Sequence, residues 1–207
     1  MAAAIAAIIG RDRGAASVSR GIPQPDTVNV KVSDQVLEEN QPEIELALLT
    51  PNPYSRPQLA TDEITGIVIH YVGNPGSSAM ANRDYFEGLK SGANETYASS
   101  HFIVGLEGEI VQCIPTAEVA YASNDRNHDT IAIEVCHPDK DGKFSDVTYA
   151  SLVHLTGWLC EYLEVQPSEI IRHYDVSGKK CPKYYVEHED AWETFKQDVT
   201  GWVADHQ

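Results

Sequence analysis

The sequence predicts an α/β fold, with a central mixed β-sheet flanked by helices. Three observations carry this. Short β-branched apolar runs, ITGIVIHYV at 64–72 and DTIAIEVC at 129–136, read as strands buried on both faces. SSHFIVGLEGEIVQCIP at 99–115 reads as two strands around a Glu-Gly turn, a hairpin. Between and after these runs, apolar residues recur at helical spacing, which puts helices on the faces of the sheet.

The elements follow in order. AAAIAAII at 2–9 is too short to span a bilayer, which takes about 20 apolar residues. A signal peptide carries its positive charge ahead of the apolar stretch, whereas Arg11 and Arg13 come after it. The run therefore reads as the remnant of a longer membrane anchor or as a plain tail. Residues 14–62 are polar and punctuated by Pro23, Pro25, Pro42, Pro51, Pro53 and Pro57. Only VNVKV and IELALL suggest extended or packed segments there. Residues 1–50 are thus expected to form a tail or stalk whose end wraps onto a domain at 51–207.

Within that domain the strand at 64–72 comes first, followed by the loop GNPGSS. Asn82, Tyr85, Phe86 and Leu89 mark a helix that Gly92 stops. The hairpin and the strand at 129–136 come next. Leu152, Leu155, Leu159 and Leu163 share one face of a long helix, with Thr148 as its cap. EIIRHYD supplies a last short strand that leads into a loop, and 189–203 reads as a terminal helix.

Composition excludes several functions. The 15 basic residues stand against 31 acidic ones, a net charge of -16. Nucleic acid needs clustered Lys and Arg, so it is not an expected partner, and neither is an anionic membrane surface. Cys113, Cys136, Cys160 and Cys181 are too few for a disulfide scaffold and form no CxxC pair. Cys113 and Cys136 lie on neighbouring strand candidates; they read as buried thiols, with pairing as the alternative. His154, His188 and His206 read as solvated.

The chemistry gathers in few places. His70 and His173 stand at strand ends, and Cys181 follows in RHYDVSGKKCP. Two imidazoles and a thiolate make three ligands for zinc, and three ligands with an open position are the catalytic arrangement. Glu134 lies in an otherwise apolar strand, where a carboxylate is costly unless it is paired or used. Beside the metal it can act as general base. Lys179, two residues before Cys181, can face a developing oxyanion. Taken singly, each of these residues has an ordinary structural explanation. Their joint occurrence points to a metal-dependent hydrolase.

IVIHYV, SSHFIVGLEGEIVQCIP, NHDTIAIEV and RHYDVSGKKCP, in this order, resemble the zinc-dependent N-acetylmuramoyl-L-alanine amidases. That group includes phage and bacterial lysins and the peptidoglycan recognition proteins. The likeness covers roughly 52–199 and is nearest to Gram-positive bacterial and prophage enzymes, which share features such as NPYSRP and HYVGNPG. The resemblance implies a peptidoglycan recognition protein-like amidase fold, one zinc, and cleavage between N-acetylmuramic acid and L-alanine. It implies His70, His173 and Cys181 as metal ligands, and Glu134 and Lys179 as catalytic residues. Tyr71, His101, Asn127 and His128 are the candidate substrate contacts. Peptidoglycan is the expected partner, at the cell wall or outside the cell, with a cytoplasmic recycling or prophage enzyme as the alternative. No protein partner is expected. A binding module that recognises muropeptide without cutting it is the alternative function. Two departures stand out: Ser100, where one branch of the family has a tyrosine, and Ala122, near where many members carry a histidine.

Overall fold

The computed structural model describes residues 38–93 and 95–206. The runs at 2–9 and 28–32 lie outside the described residues. One sheet of six strands organises the described chain: β1 (Ile44–Leu46), β2 (Gly66–Ile69), β3 (Phe102–Val104), β4 (Ile110–Gln112), β5 (Thr130–Val135) and β6 (Ile170–Arg172). Their order is β1-β4-β3-β5-β2-β6, and only β3 and β4 run antiparallel. The expected mixed sheet is therefore the one observed. The helices are α1 (Ala79–Gly88), α2 (Asp146–Leu163), α3 (His173–Ser177), α4 (Lys183–Glu187) and α5 (Glu189–His206).

Strand alternation divides the core in two. Ile67, Ile69, Phe102, Val104, Ile131, Ile133 and Val135 face α2 and α5, which bring Leu152, Leu155, Leu159, Trp192, Phe195 and Val199. On the opposite face Ile103, Val111, Cys113 and Cys136 meet Ala79 and Phe86 of α1, together with Leu49. Burial on both faces explains why the central strands read as unbroken apolar runs.

The hairpin turns at Gly108, whose φ of +84 is left-handed and where a Cβ would stand 2.6 Å from Ser151 Oγ. That position therefore needs glycine. IELALL enters the sheet as β1, paired in parallel with β4, and Leu49 is 1% exposed. The folded unit thus begins ahead of the expected domain boundary at residue 51.

Several local expectations are corrected. The cap of α2 is Ser145, whose Oγ accepts from the Thr148 N–H at 3.3 Å. Thr148 lies one turn inside, where its hydroxyl donates to Gly105 O at 2.9 Å. His173 opens the one-turn helix α3 instead of a loop. His154 and His206 are half-buried around Trp202 instead of solvated. The preferred reading of Cys113 and Cys136 as buried free thiols, by contrast, is the one observed. Cys113 bonds β3's flank at His101 O, whereas Cys136 bonds Val104 O, so they sit at different levels on opposite sides of β3. A disulfide needs Cα atoms closer than about 7 Å.

Candidate metal centre

Strand register assembles the site. Glu134 of β5 lies level with Ile103 of β3. On its other side the register Ile69↔Ile133 continues by one step, with the His70 N–H donating to Ile133 O at 2.9 Å, so His70 stands beside Glu134. Ile69 also pairs with Arg172, which brings His173 beside His70. Neighbours at one level of adjacent strands point to the same face. Glu134, His70 and His173 therefore form one row on the face that α1 only partly covers. Residues far apart in sequence meet because β2 lies between β5 and β6.

The third member arrives by a chain reversal. Gly178, with φ +75, ends α3, and the Tyr174 N–H donates to Cys181 O at 2.9 Å. Arg172 holds this corner in place. Its guanidinium donates to both oxygens of Asp175, to Tyr185 O and to Glu189, tying α3, α4 and the start of α5 together. As a result, one ligand atom from each of His70, His173 and Cys181 lies within 4.8 Å of the others, all three residues being buried. His70 Nδ1 is 3.9 Å from Cys181 Sγ, and the two imidazole centroids are 4.7 Å apart. The Nδ1 of His173 is buried with no hydrogen-bond partner among the described residues. A buried, unpartnered nitrogen grouped with a thiol and a second imidazole is a donor set that suits a metal ion.

The cluster forms one side of a cleft of about 610 Å³. Glu134 lines it, half-buried, with Oε2 screened from solvent and without a hydrogen-bond partner among the described residues. Burial pushes its carboxyl up to about 7, and the nearby Lys179 ammonium opposes this. Burial likewise shifts His70 and His173 below the ordinary imidazole value, with the neighbouring His173 adding to the effect for His70 and the Lys179 charge for both. The Cys181 thiol is raised to about 12 by burial and by Glu134. Metal binding there must displace the thiol proton.

The remaining candidates divide. Tyr71 and Asn127 line the cleft. Tyr71 stacks on His137 at 5.1 Å, and Asn127 Oδ1 accepts from the N–H groups of Ala122 and Ser123. His101 is brought elsewhere: it is fully buried, Nε2 lies 2.9 Å from Glu118 O, and Nδ1 accepts from the Ala132 N–H at 2.9 Å. Both ring nitrogens are used by the backbone, so none is left for substrate. His128 is exposed, with Nε2 3.9 Å from Asp62, and is not part of the cleft wall. Four residues that sequence reasoning missed matter here: Ser123 and Asn124, which touch the two imidazoles, and Tyr97 and Tyr121, which stand edge to face at 5.7 Å on the wall. Only the polar run ASND marked the first pair, and such runs usually mean a turn.

Comparison with known proteins gives a consistent result. A family model described as N-acetylmuramoyl-L-alanine amidase matches residues 60–184. N-acetylmuramoyl-L-alanine amidase CwlL of Bacillus licheniformis is 34% identical, over 72% of this chain and 44% of the relative. N-acetylmuramoyl-L-alanine amidase BlyA of Bacillus subtilis (strain 168) is 31% identical over the same shares. The chain spans less than half the length of these curated relatives. Among solved structures, the catalytic domain of XlyA is 26% identical with a TM-score of 0.64, covering 76% of this chain and 99% of that one. A mutant endolysin from Bacillus subtilis gives 26% and 0.64, covering 77% and 99%.

Proposed function

Since the chain belongs to the N-acetylmuramoyl-L-alanine amidase family, we propose that its cleft hydrolyses the amide joining the lactyl group of N-acetylmuramic acid to L-alanine in peptidoglycan, using one zinc ion. The observation that carries this reading is the buried cluster of two imidazoles and a thiol beside an unpartnered carboxyl. His70, His173 and Cys181 would hold the ion. A set of two nitrogen donors and one sulfur donor suits zinc, and three protein ligands leave a position open. When bound, zinc supplies Lewis acidity, polarising the scissile carbonyl and acidifying water.

The chain's own residues do the rest. Glu134, raised to about 7, is a base poised near neutral pH. It takes a proton from the attacking water as the new carbon–oxygen bond forms. It returns that proton to the leaving nitrogen as the carbon–nitrogen bond breaks. Lys179 favours the ionised form of Glu134 against the effect of burial and can place positive charge where the carbonyl oxygen becomes negative. A binding module without catalysis has less support, because a binder has no use for an unpartnered base beside a thiol and a lysine.

We assign the activity to the cell wall, where peptidoglycan is. No helix among the described residues is long and apolar enough to cross a membrane. The test is release of the peptide from muramoyl peptide by the zinc-loaded chain, by the chelated chain, and after zinc is restored. Activity should vanish on chelation and return with zinc while the far-ultraviolet circular dichroism stays constant. Unchanged cleavage by a metal-stripped sample would refute the zinc mechanism.

A further inference from the structure

Both imidazoles of the cluster are held from behind by consecutive residues of one turn. His70 Nε2 lies 3.1 Å from Ser123 Oγ, and His173 Nε2 lies 2.7 Å from Asn124 Oδ1. On the other side of each ring, His70 Nδ1 faces Cys181 Sγ at 3.9 Å, and His173 Nδ1 is buried and unpartnered. We infer that Ser123 and Asn124 are positioning residues that hold both histidines as Nε2–H tautomers and so commit both Nδ1 lone pairs to the metal. This rests on reading the cluster as a zinc centre.

The chemistry is asymmetric. An amide oxygen only accepts, so Asn124 Oδ1 requires His173 Nε2 to carry the proton. A hydroxyl can donate or accept, so Ser123 restrains His70 less strictly. Partners of this kind orient a ligand ring and raise its basicity, and their loss typically costs about 10–100-fold in metal affinity.

The turn is built for the task. Asn124 has φ +53, a left-handed conformation that asparagine tolerates better than most residues. Ser123 is 1% exposed. Asn127 Oδ1 accepts from the backbone N–H groups of Ala122 and Ser123, and the Arg126 and Asn127 N–H groups donate to Ser123 O and Asn124 O. Arg126 is clamped in turn to both oxygens of Asp129. Asn127 thus lines the cleft and also shapes the turn that orients the ligands.

The test uses Asn124→Gly, since glycine keeps the left-handed backbone at no steric cost and removes only the acceptor. Asn124→Asp keeps the acceptor and serves as the conservative rescue. Long-range ¹H–¹⁵N correlation on the metal-free full chain reads the tautomers directly, and competition with a chromogenic chelator reads zinc affinity. In the unmodified chain both rings should be Nε2–H. Asn124→Gly should turn His173 into a mixture and weaken zinc about 10–100-fold with an unchanged thermal midpoint, and Asn124→Asp should do neither. A His173 proton on Nδ1 in the unmodified chain would overturn the inference, even if the glycine variant failed to fold. So would undiminished zinc affinity in a folded Asn124→Gly. If the unmodified chain bound no zinc, the site reading would fall, while the tautomer spectra would still decide whether the turn orients the rings.

Discussion

Replacing Glu134 by Gln separates what the buried carboxyl costs from what it does. In the folded chain burial holds this carboxyl at about 7, against an ordinary value of 4.5. The gap of about 2.5 pH units corresponds to roughly 3 kcal/mol, an upper figure because the residue is half-buried. The sign follows from proton counts. Between these two values the folded chain keeps a proton that the unfolded chain has released, so stability falls as pH rises through that window. Gln cannot ionise and escapes the loss, although its own buried amide costs about 1–3 kcal/mol wherever it lacks a partner. That cost does not depend on pH. The stability of the Gln variant relative to the parent should therefore rise by roughly 2 kcal/mol between about pH 5 and about pH 8. Urea denaturation of metal-stripped protein at both pH values gives this double difference, in which contributions from the other titrating groups cancel. Amidase activity of the zinc-loaded variant should fall about 10²–10⁴-fold. If the stability difference were the same at both pH values, Glu134 would not be the strained acid described here.

Three other outcomes are expected. Lys179→Met should lower kcat/KM by about 10²–10³-fold, and because Lys179 opposes the rise of the Glu134 carboxyl, the acid limb of the pH profile should move to higher pH; its activity combined with Glu134→Gln should fall by less than the product of the single losses. A chain starting at residue 51 loses β1 and the buried Leu49, worth about 1.5–3 kcal/mol for that side chain alone, so its thermal midpoint should drop well below that of a chain starting at residue 38. Gly157→Ala should destabilise by about 1–3 kcal/mol in thermal unfolding, because a Cβ there would meet the Trp202 ring at 2.3 Å where α2 crosses α5.

Local sequence was enough for most of the central strands and the long helices, and the motifs taken together were enough to name the cluster. β-branched runs bounded by turn residues can hardly be anything but buried strands, and the peptidoglycan recognition protein-like amidase fold expected from the motifs is the fold found. His70, Glu134, His173, Lys179 and Cys181 were legible as a set, through their joint occurrence and the motifs that carry the family resemblance, not one by one. A carboxylate amid TIAIEV and a thiol after two lysines are expensive or unusual unless used. What sequence could not carry was direction and level. His101 also opens an apolar strand, yet its ring turns back onto the backbone at Glu118 and Ala132, whereas His70 points into the cleft. By alternation His101, two residues before Ile103, takes the same face as Glu134 and His70, so that difference lies in level along the strands, which is set by register across β3, β5 and β2, whose members come from distant parts of the chain. Ser123 and Asn124 were invisible for the same reason. A polar turn costs nothing in solvent and carries no local signature of use; only packing it behind two imidazoles from other strands turns an ordinary turn into part of the site.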